Sequence, residues 1–285
     1  MKNILTLMAC LLILVMNLDA QSFQVQHRLE KAPRLELRFL HPSLADVKDH
    51  AFHSGIYDLS FSYPISERWS VMASVPYVAA NYSVDLNLLP EFIDPLLMFD
   101  YPVNDNGLGN IGVGAVTKWE FVSGDLQWFN TLYLPTSGQN NFDGFLLKRG
   151  ELLNLQKYVS NGTSITSEMV FGKFPDKGVI YSFSGGPQFI IYSEEIKREL
   201  FYKYSLGAGY NFGAVAIVGE WIGRYHDNKD FYQSDHRYWN TLNGSIHFTR
   251  GRLRPAILYN YVFEDRLRDW FSTGSVGVKL SYLFL

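Results

Sequence analysis

The last eleven residues, Ser275 to Leu285, alternate in character almost without error. Val276, Val278, Leu280, Tyr282 and Phe284 fall on one side of an extended chain; Ser275, Gly277, Lys279 and Ser281 fall on the other. A side-chain period of two is that of a β-strand, here with one apolar and one polar face. Such a strand, carried to the end of the chain with an aromatic residue at its terminus, narrows the choice of fold sharply. Apolar outside and polar inside describes the wall of a β-barrel in lipid, where closure leaves no backbone edge without a partner. The expected fold class is all-β, a transmembrane antiparallel β-barrel.

The start of the chain agrees. Lys2 and Asn3 precede an apolar run from Ile4 to Met16, and Ala20 offers a small residue for cleavage. This pattern predicts a secretory signal peptide over 1–20, with an apolar core too short to span a membrane. Residues 21–285 then form the barrel as one domain. The single cysteine, Cys10, lies in the signal segment, so no disulfide framework or thiolate site is expected after cleavage. Mean hydropathy is −0.06, and no later apolar run is long enough for a spanning helix. The 21 Phe and 18 Tyr suit the two aromatic girdles of a barrel. A net charge of −3 without a basic stripe argues against nucleic acid as a partner. The expected setting is the outer membrane of a Gram-negative cell, as a monomer in contact with outer-membrane lipids.

Alternation recurs along the chain. Leu35, Leu37 and Phe39 oppose Arg34, Glu36 and Arg38; Tyr57, Leu59, Phe61 and Tyr63 oppose Asp58, Ser60 and Ser62. Similar runs cover 69–77, 111–121, 202–212 and 253–261. Tight turns are expected at 65–67, 122–125, 211–213 and 250–252. Longer polar connections are expected at 41–54, 79–106, 135–149, 225–235 and 263–273. Short turns on one side and long loops on the other are the asymmetry of bacterial barrels. Between 150 and 212 the count fails, giving about thirteen segments where an even number is required. The expectation is twelve strands, with fourteen next, and Gly185-Gly186-Pro187 as the expected break.

Several segments appear together in a known order. Ser62-Tyr63-Pro64-Ile65-Ser66-Glu67-Arg68-Trp69 leads into Val75-Pro76-Tyr77, then Gly107-Leu108-Gly109-Asn110-Ile111-Gly112. Leu134-Pro135-Thr136-Ser137-Gly138 comes next, and Gly207-Ala208-Gly209-Tyr210-Asn211-Phe212-Gly213 precedes Gly219-Glu220-Trp221. In this the chain resembles the outer-membrane family labelled "MetA-pathway of phenol degradation", a group of barrel transporters. It departs where that family has an acidic residue and this chain has Asn110, and where Ser137 intrudes before a glycine. The resemblance implies a barrel that moves aromatic or other apolar compounds.

Motifs with independent chemistry are few. Gly107 to Gly112 matches G-x-G-x-x-G, but the residues after it alternate at period two rather than opening a helix, so glycines that relieve crowding at a barrel entry or face a packed lumen are expected instead. The seven histidines form no ligand array, and no cofactor is expected. Ser245 and His247 share one strand face, the minimum for a Ser–His pair, without a nucleophile-elbow motif.

More informative is the inward set, which carries both signs of charge. Arg38, Asp58, Lys118, Glu120, Glu220, Arg254 and Lys279 are the candidate lumen-lining residues, joined by Arg34, Glu36 and Lys203. Met72, Val116, Ala216, Val218, Ile222 and Leu258 are inward by the same parity. This predicts a lumen that is narrow, plugged or suited to an apolar solute rather than a wide aqueous pore. The apolar segment between Val84 and Val103 carries Leu89, Phe92, Ile93, Leu96 and Phe99, the candidate plug or solute-capture loop. The expected function is a passive channel or transporter for small molecules, apolar or aromatic ones among them, and not an enzyme. The alternatives are a non-transporting structural, assembly or surface-interaction barrel, and a membrane-embedded lipid-modifying enzyme.

Overall fold

The computed structural model describes residues 32–44, 47–48, 55–85, 100–137, 154, 156–159, 162–192, 198–227, 237–263 and 272–284. The expected signal peptide and the apolar residues from Leu89 to Phe99 lie outside them. The strands are β1 (Arg34–Leu44), β2 (Val47–Lys48), β3 (Gly55–Pro64), β4 (Trp69–Asp85), β5 (Asp100–Leu108), β6 (Gly112–Phe121) and β7 (Gly124–Tyr133). They continue as β8 (Gly162–Lys173), β9 (Gly178–Tyr192), β10 (Arg198–Asn211), β11 (Val215–His226), β12 (Tyr238–Phe248), β13 (Leu253–Val262) and β14 (Ser272–Leu283).

Every neighbour is antiparallel, and β1 pairs with β14, from Arg34↔Leu283 onward, to close the sheet. Strands β5 and β6 follow one another along β4 and act as one stave, while β2 pairs only the far end of β4. The result is a closed barrel of twelve staves. It meets the even-number requirement that the sequence count fails. The start of β1, the end of β14 and the tight turns share one end, which is the periplasmic end in bacterial barrels.

Two expectations in the middle of the chain need correction. Gly185-Gly186-Pro187 does not end a strand, because β9 runs through it. The β8–β9 ladder omits the pairs between Thr166↔Gln188 and Met169↔Gly185, then resumes in the same register. Pro187 has no N–H to give, so a gap in the ladder is how a central strand accommodates it. The real turn is Phe174-Pro175-Asp176-Lys177, closed by Gly178 at φ +127°. Proline presets the turn and only glycine takes that backbone angle without strain. The expected loop over 79–106 is also shorter than the sequence implies, since β4 and β5 stay paired out to Asp85↔Asp100.

The wall has the expected polarity. Leu37, Leu59, Val278 and Leu280 stand outward and exposed, against buried Glu36, Arg38, Asp58 and Lys279 on the neighbouring positions. Tyr63, Trp69, Phe121, Phe212, Phe248 and Phe284 ring the tight-turn end, as an interfacial girdle requires. Polar groups on the outer face satisfy one another: Trp128 Nε1 donates to Ser167 Oγ at 2.9 Å, which donates to Asn130 Oδ1 at 2.8 Å.

Candidate functional site

The lumen is built from paired charges. Register sets Arg38 of β1 directly between Asp58 of β3 and Lys279 of β14. Arg38 donates to Asp58 Oδ2 at 3.0 Å. One step toward the periplasmic end, Glu36 accepts from Ser281 Oγ at 2.8 Å and lies 3.6 Å from Lys279 Nζ. A charge removed from water is tolerable only when it is paired and hydrogen-bonded, and the cross-strand spacing supplies both.

Placement of the seven candidate lumen-lining residues is uneven. Arg38, Asp58, Glu220 and Lys279 are buried on the inner face. Arg254 is half-buried near the turn at 249–252 and donates from Nε to the Gly251 carbonyl at 3.1 Å. Lys118 pairs with Glu120 at 2.8 Å and Asp125 at 3.1 Å beside the turn at 122–123. Glu120 is exposed there, so it belongs to the periplasmic rim and not to the lumen lining. The inward apolar residues cluster toward this end, with Met72 packed on Val116, Phe129 and Val170, and Phe174 on Ile180, Ala216 and Val218.

The plug expected between Val84 and Val103 falls on residues outside those described; a different buried segment lies inside the barrel, in the stretch after residue 150 where the strand count fails. Between β7 and β8 the chain returns into the barrel: Asn154, Gln156, Lys157 and Tyr158 are all buried, none more than 3% exposed. The Lys157 ammonium pairs with Asp58, so this carboxylate is shared by a wall arginine and a loop lysine. Gln188 of β9 donates to Gln156 Oε1 at 2.7 Å, and Lys203 of β10 to Asn154 Oδ1 at 3.4 Å.

The base of this segment is latched by the residues between β5 and β6. The Asn110 backbone N–H leaves the β4 ladder and donates to the Lys157 carbonyl at 2.6 Å. Its side-chain amide donates to the carbonyls of Gln156 at 3.0 Å and Val159 at 2.8 Å, while its Oδ1 accepts from the Ser137 N–H at 3.0 Å. Thr136 adds a bond from Oγ1 to the Gly109 carbonyl at 2.8 Å. A Cβ on Gly109 would collide with the Lys157 carbonyl oxygen, so only glycine lets the segment approach this closely. The G-x-G-x-x-G match is therefore a packing feature of the latch. Asn110, Ser137 and Gly109 are visible in the sequence as motif residues; what they hold is not.

On the wall opposite Asp58, Arg224 of β11 is the direct cross-strand partner of Lys203. The Arg224 guanidinium lies 3.8 Å from the centre of the Phe201 ring and 5.4 Å from that of Trp239. His226 stacks on Phe201 at 4.4 Å, and Arg224 donates to Gln188 Oε1 at 3.0 Å. A cavity of about 60 Å³ is lined by Glu36, Asp58, Asn154, Gln156, Glu168 and Lys203 among others. Another, of about 50 Å³, lies between Arg34, Ile180, His247 and Lys279.

Ser245 and His247 do meet, with Oγ and Nε2 2.8 Å apart. Both are buried, and along the ladder His247 is followed by Ala256 and then Lys279. A nucleophilic Ser–His pair is oriented by an acid, and the charge in that row is a cation. Among the described residues no three His, Cys, Asp or Glu side chains come together as a metal site.

A closed twelve-stave wall with an apolar exterior and a charged interior defines an outer-membrane β-barrel. Solved structures bear out the fold. The chain is similar to the COG4313 outer membrane channel from Pseudomonas putida F1 at 10% identity and a TM-score of 0.60, over 90% of this chain and 96% of that one. It is similar to the NanC porin at 11% identity and 0.56, over 88% and 100%, and to the KdgM porin at 10% and 0.52, over 88% and 99%. No family model and no curated protein matches the chain.

Proposed function

We propose that this barrel is a passive channel for small molecules whose lumen is occupied by its own β7–β8 connection. The observation that carries the reading is the way the lumen is filled. The segment at Asn154 and Gln156–Val159 is held by polar contacts through Asn154, Gln156 and Lys157, while Val159 packs on Ile190, Phe201 and Trp239. Buried charges often contribute less stability than apolar residues of the same volume, so stability alone does not account for this lining. Ionisable residues at membrane depth suit a path for solute. The resemblance in the strand and turn motifs extends the proposal to apolar or aromatic solutes, for which the inward Met72 and Val116 offer contact. The channel porins with similar folds favour transport over an enzymatic barrel.

Planar-bilayer recordings test this reading. The intact protein should show low conductance, and Lys157→Gln, which removes the cation from Asp58, should raise it. No conductance in either protein would leave the non-transporting barrel. The proposed capture role of Leu89, Phe92, Ile93, Leu96 and Phe99 is tested by replacing 86–99 with a Gly/Ser linker. Slower uptake of an apolar solute alongside faster uptake of a small polar one supports capture; faster uptake of both supports a plug.

A further inference from the structure

The strands from β14 back to β9 carry one continuous row of polar side chains on the inner face, interrupted only by Gly207. Its members are successive cross-strand partners: Ser275 pairs with Asn260, Asn260 with Asn243, and Asn243 with Glu220. From Glu220 the register passes to Gly207 of β10 and then to Ser182 of β9. Ser275 lies near the start of β14, at the loop end, and Ser182 near the start of β9, at the tight-turn end. The row therefore slants along the barrel from one end toward the other, as the tilt of strands in a closed sheet requires. Neighbouring strands set its members about 4.8 Å apart.

Much of this row has no protein partner. Both amide atoms of Asn243, Oδ1 of Asn260 and the hydroxyls of Ser275 and Ser182 are buried without a hydrogen bond, as is Oγ1 of Thr241 one row toward the loops. Asn243, Ser275 and Ser182 are no more than 2% exposed. Buried polar groups left unmet are costly, and native interiors seldom collect them in one place. The unmet groups include a donor and acceptors, which decides the ligand. An anion would serve Nδ2 of Asn243 and leave its Oδ1 unmet; a cation would do the reverse. A hydroxyl donates and accepts, so it serves both. Buried apolar side chains bracket the row, Leu258, Val218 and Ile180 toward the tight turns and Val262 and Ile222 toward the loops. A carbon chain carrying hydroxyls matches that pattern of polar stripe and apolar rails. At the tight-turn end the ring of Phe174 covers Gly172 beside Ser182 and packs on Ile180, Ala216 and Val218. We infer, building on the channel reading, that the row from Ser275 to Ser182 is a binding track for small neutral polyols. Such a solute passes its hydroxyls from strand to strand, beside the returning segment rather than by displacing it, and leaves as the Phe174 side chain turns.

Stopped-flow swelling of proteoliposomes in erythritol, with protein-free vesicles as baseline, reads the entry of a neutral polyol. The intact full-length barrel should admit erythritol faster than the baseline. Asn243→Leu, close in size but without donor or acceptor, should slow this entry by about fivefold, and Ser275→Ala by about threefold. Asn243→Ser keeps a hydroxyl and should retain most of it, while Phe174→Ala should speed it. Asn243→Leu removes two unmet groups, so its guanidinium unfolding midpoint should be no lower than that of the intact protein. If that variant loses heat-modifiable migration and so fails to fold, Ser275→Ala, which deletes only a hydroxyl, carries the test. Erythritol entry equal to the baseline, or unchanged in the Asn243 and Ser275 variants, overturns the track. Conductance separates the two claims. A rise in Lys157→Gln with erythritol entry indifferent to Asn243 keeps the channel and sinks the track, whereas entry that depends on Asn243 without any such rise keeps the track and sinks the occluding role of the segment.

Discussion

Asn110 holds Val159 by a 2.8 Å hydrogen bond from its side-chain amide to the carbonyl, and through it the end of the segment that fills the lumen. The same side chain accepts from the Ser137 N–H, just beyond the end of β7. Asn110→Ala leaves these buried backbone groups without partners, at about 1–3 kcal/mol each. The expected outcome is a segment released from the lumen. Single-channel conductance should rise while heat-modifiable migration is retained. Asn110→Asp should do the same, because a carboxylate cannot donate to the carbonyls of Gln156 and Val159.

Gly109→Ala tests the latch through sterics rather than hydrogen bonding. The new Cβ would run into the Lys157 carbonyl and stand 2.8 Å from Pro76 Cγ. Relief requires the segment to move, at the cost of about 1–3 kcal/mol typical of overpacking. Conductance should rise as it does for Asn110→Ala, and the two changes together should add little beyond either alone.

Asp58 is shared by Arg38 and Lys157. Asp58→Asn removes the carboxylate both cations use and should destabilise the barrel by about 3–5 kcal/mol, read by guanidinium unfolding in micelles. Lys157→Met leaves the Arg38–Asp58 pair standing and should cost less. In the double variant the two losses should fall short of their sum by about 0.5–3 kcal/mol, the mark of a direct interaction.

Leu280 faces lipid and its neighbour Lys279 faces the lumen. Leu280→Arg places a cation toward the hydrocarbon, at about 2–4 kcal/mol near mid-bilayer, and should reduce the assembled fraction. Lys279→Arg keeps a cation beside Glu36 and should assemble normally. Gel migration at matched expression decides it, and equal damage from both would mean the faces are misassigned.

How much of this structure can be read from the sequence depends on how local the cause is. Strand faces depend on the alternation of neighbours, so Glu36, Arg38, Asp58 and Lys279 can be placed inward directly. The turn at 174–177 carries a Pro-Asp signal but is outweighed by Gly185-Gly186-Pro187, which looks more disruptive than it is. Glycine and proline weaken a strand in isolation, yet β10 pairs continuously across them. The returning segment has no local signature at all. Asn154, Gln156 and Lys157 are polar residues in a long connection, and only partners far away in the chain, such as Asp58 99 residues distant, make them interior. The latch motif is visible while its purpose is not, because Gly109 and Asn110 answer to a segment whose Gln156 lies 46 residues beyond Asn110.

The bond from Ser281 to Glu36 spans 245 residues and crosses the junction of the first strand with the last. Contacts of such separation form late, since the chain between them must first be organised. Until they do, Glu36 and Lys279 belong to two open edges and keep their hydration. Joining the edges is therefore the step that brings opposite charges out of water together. A barrel offered the wrong final strand would have to close over a carboxylate with nothing to neutralise it, so the pair acts as a check on completion as well as a rung of the wall.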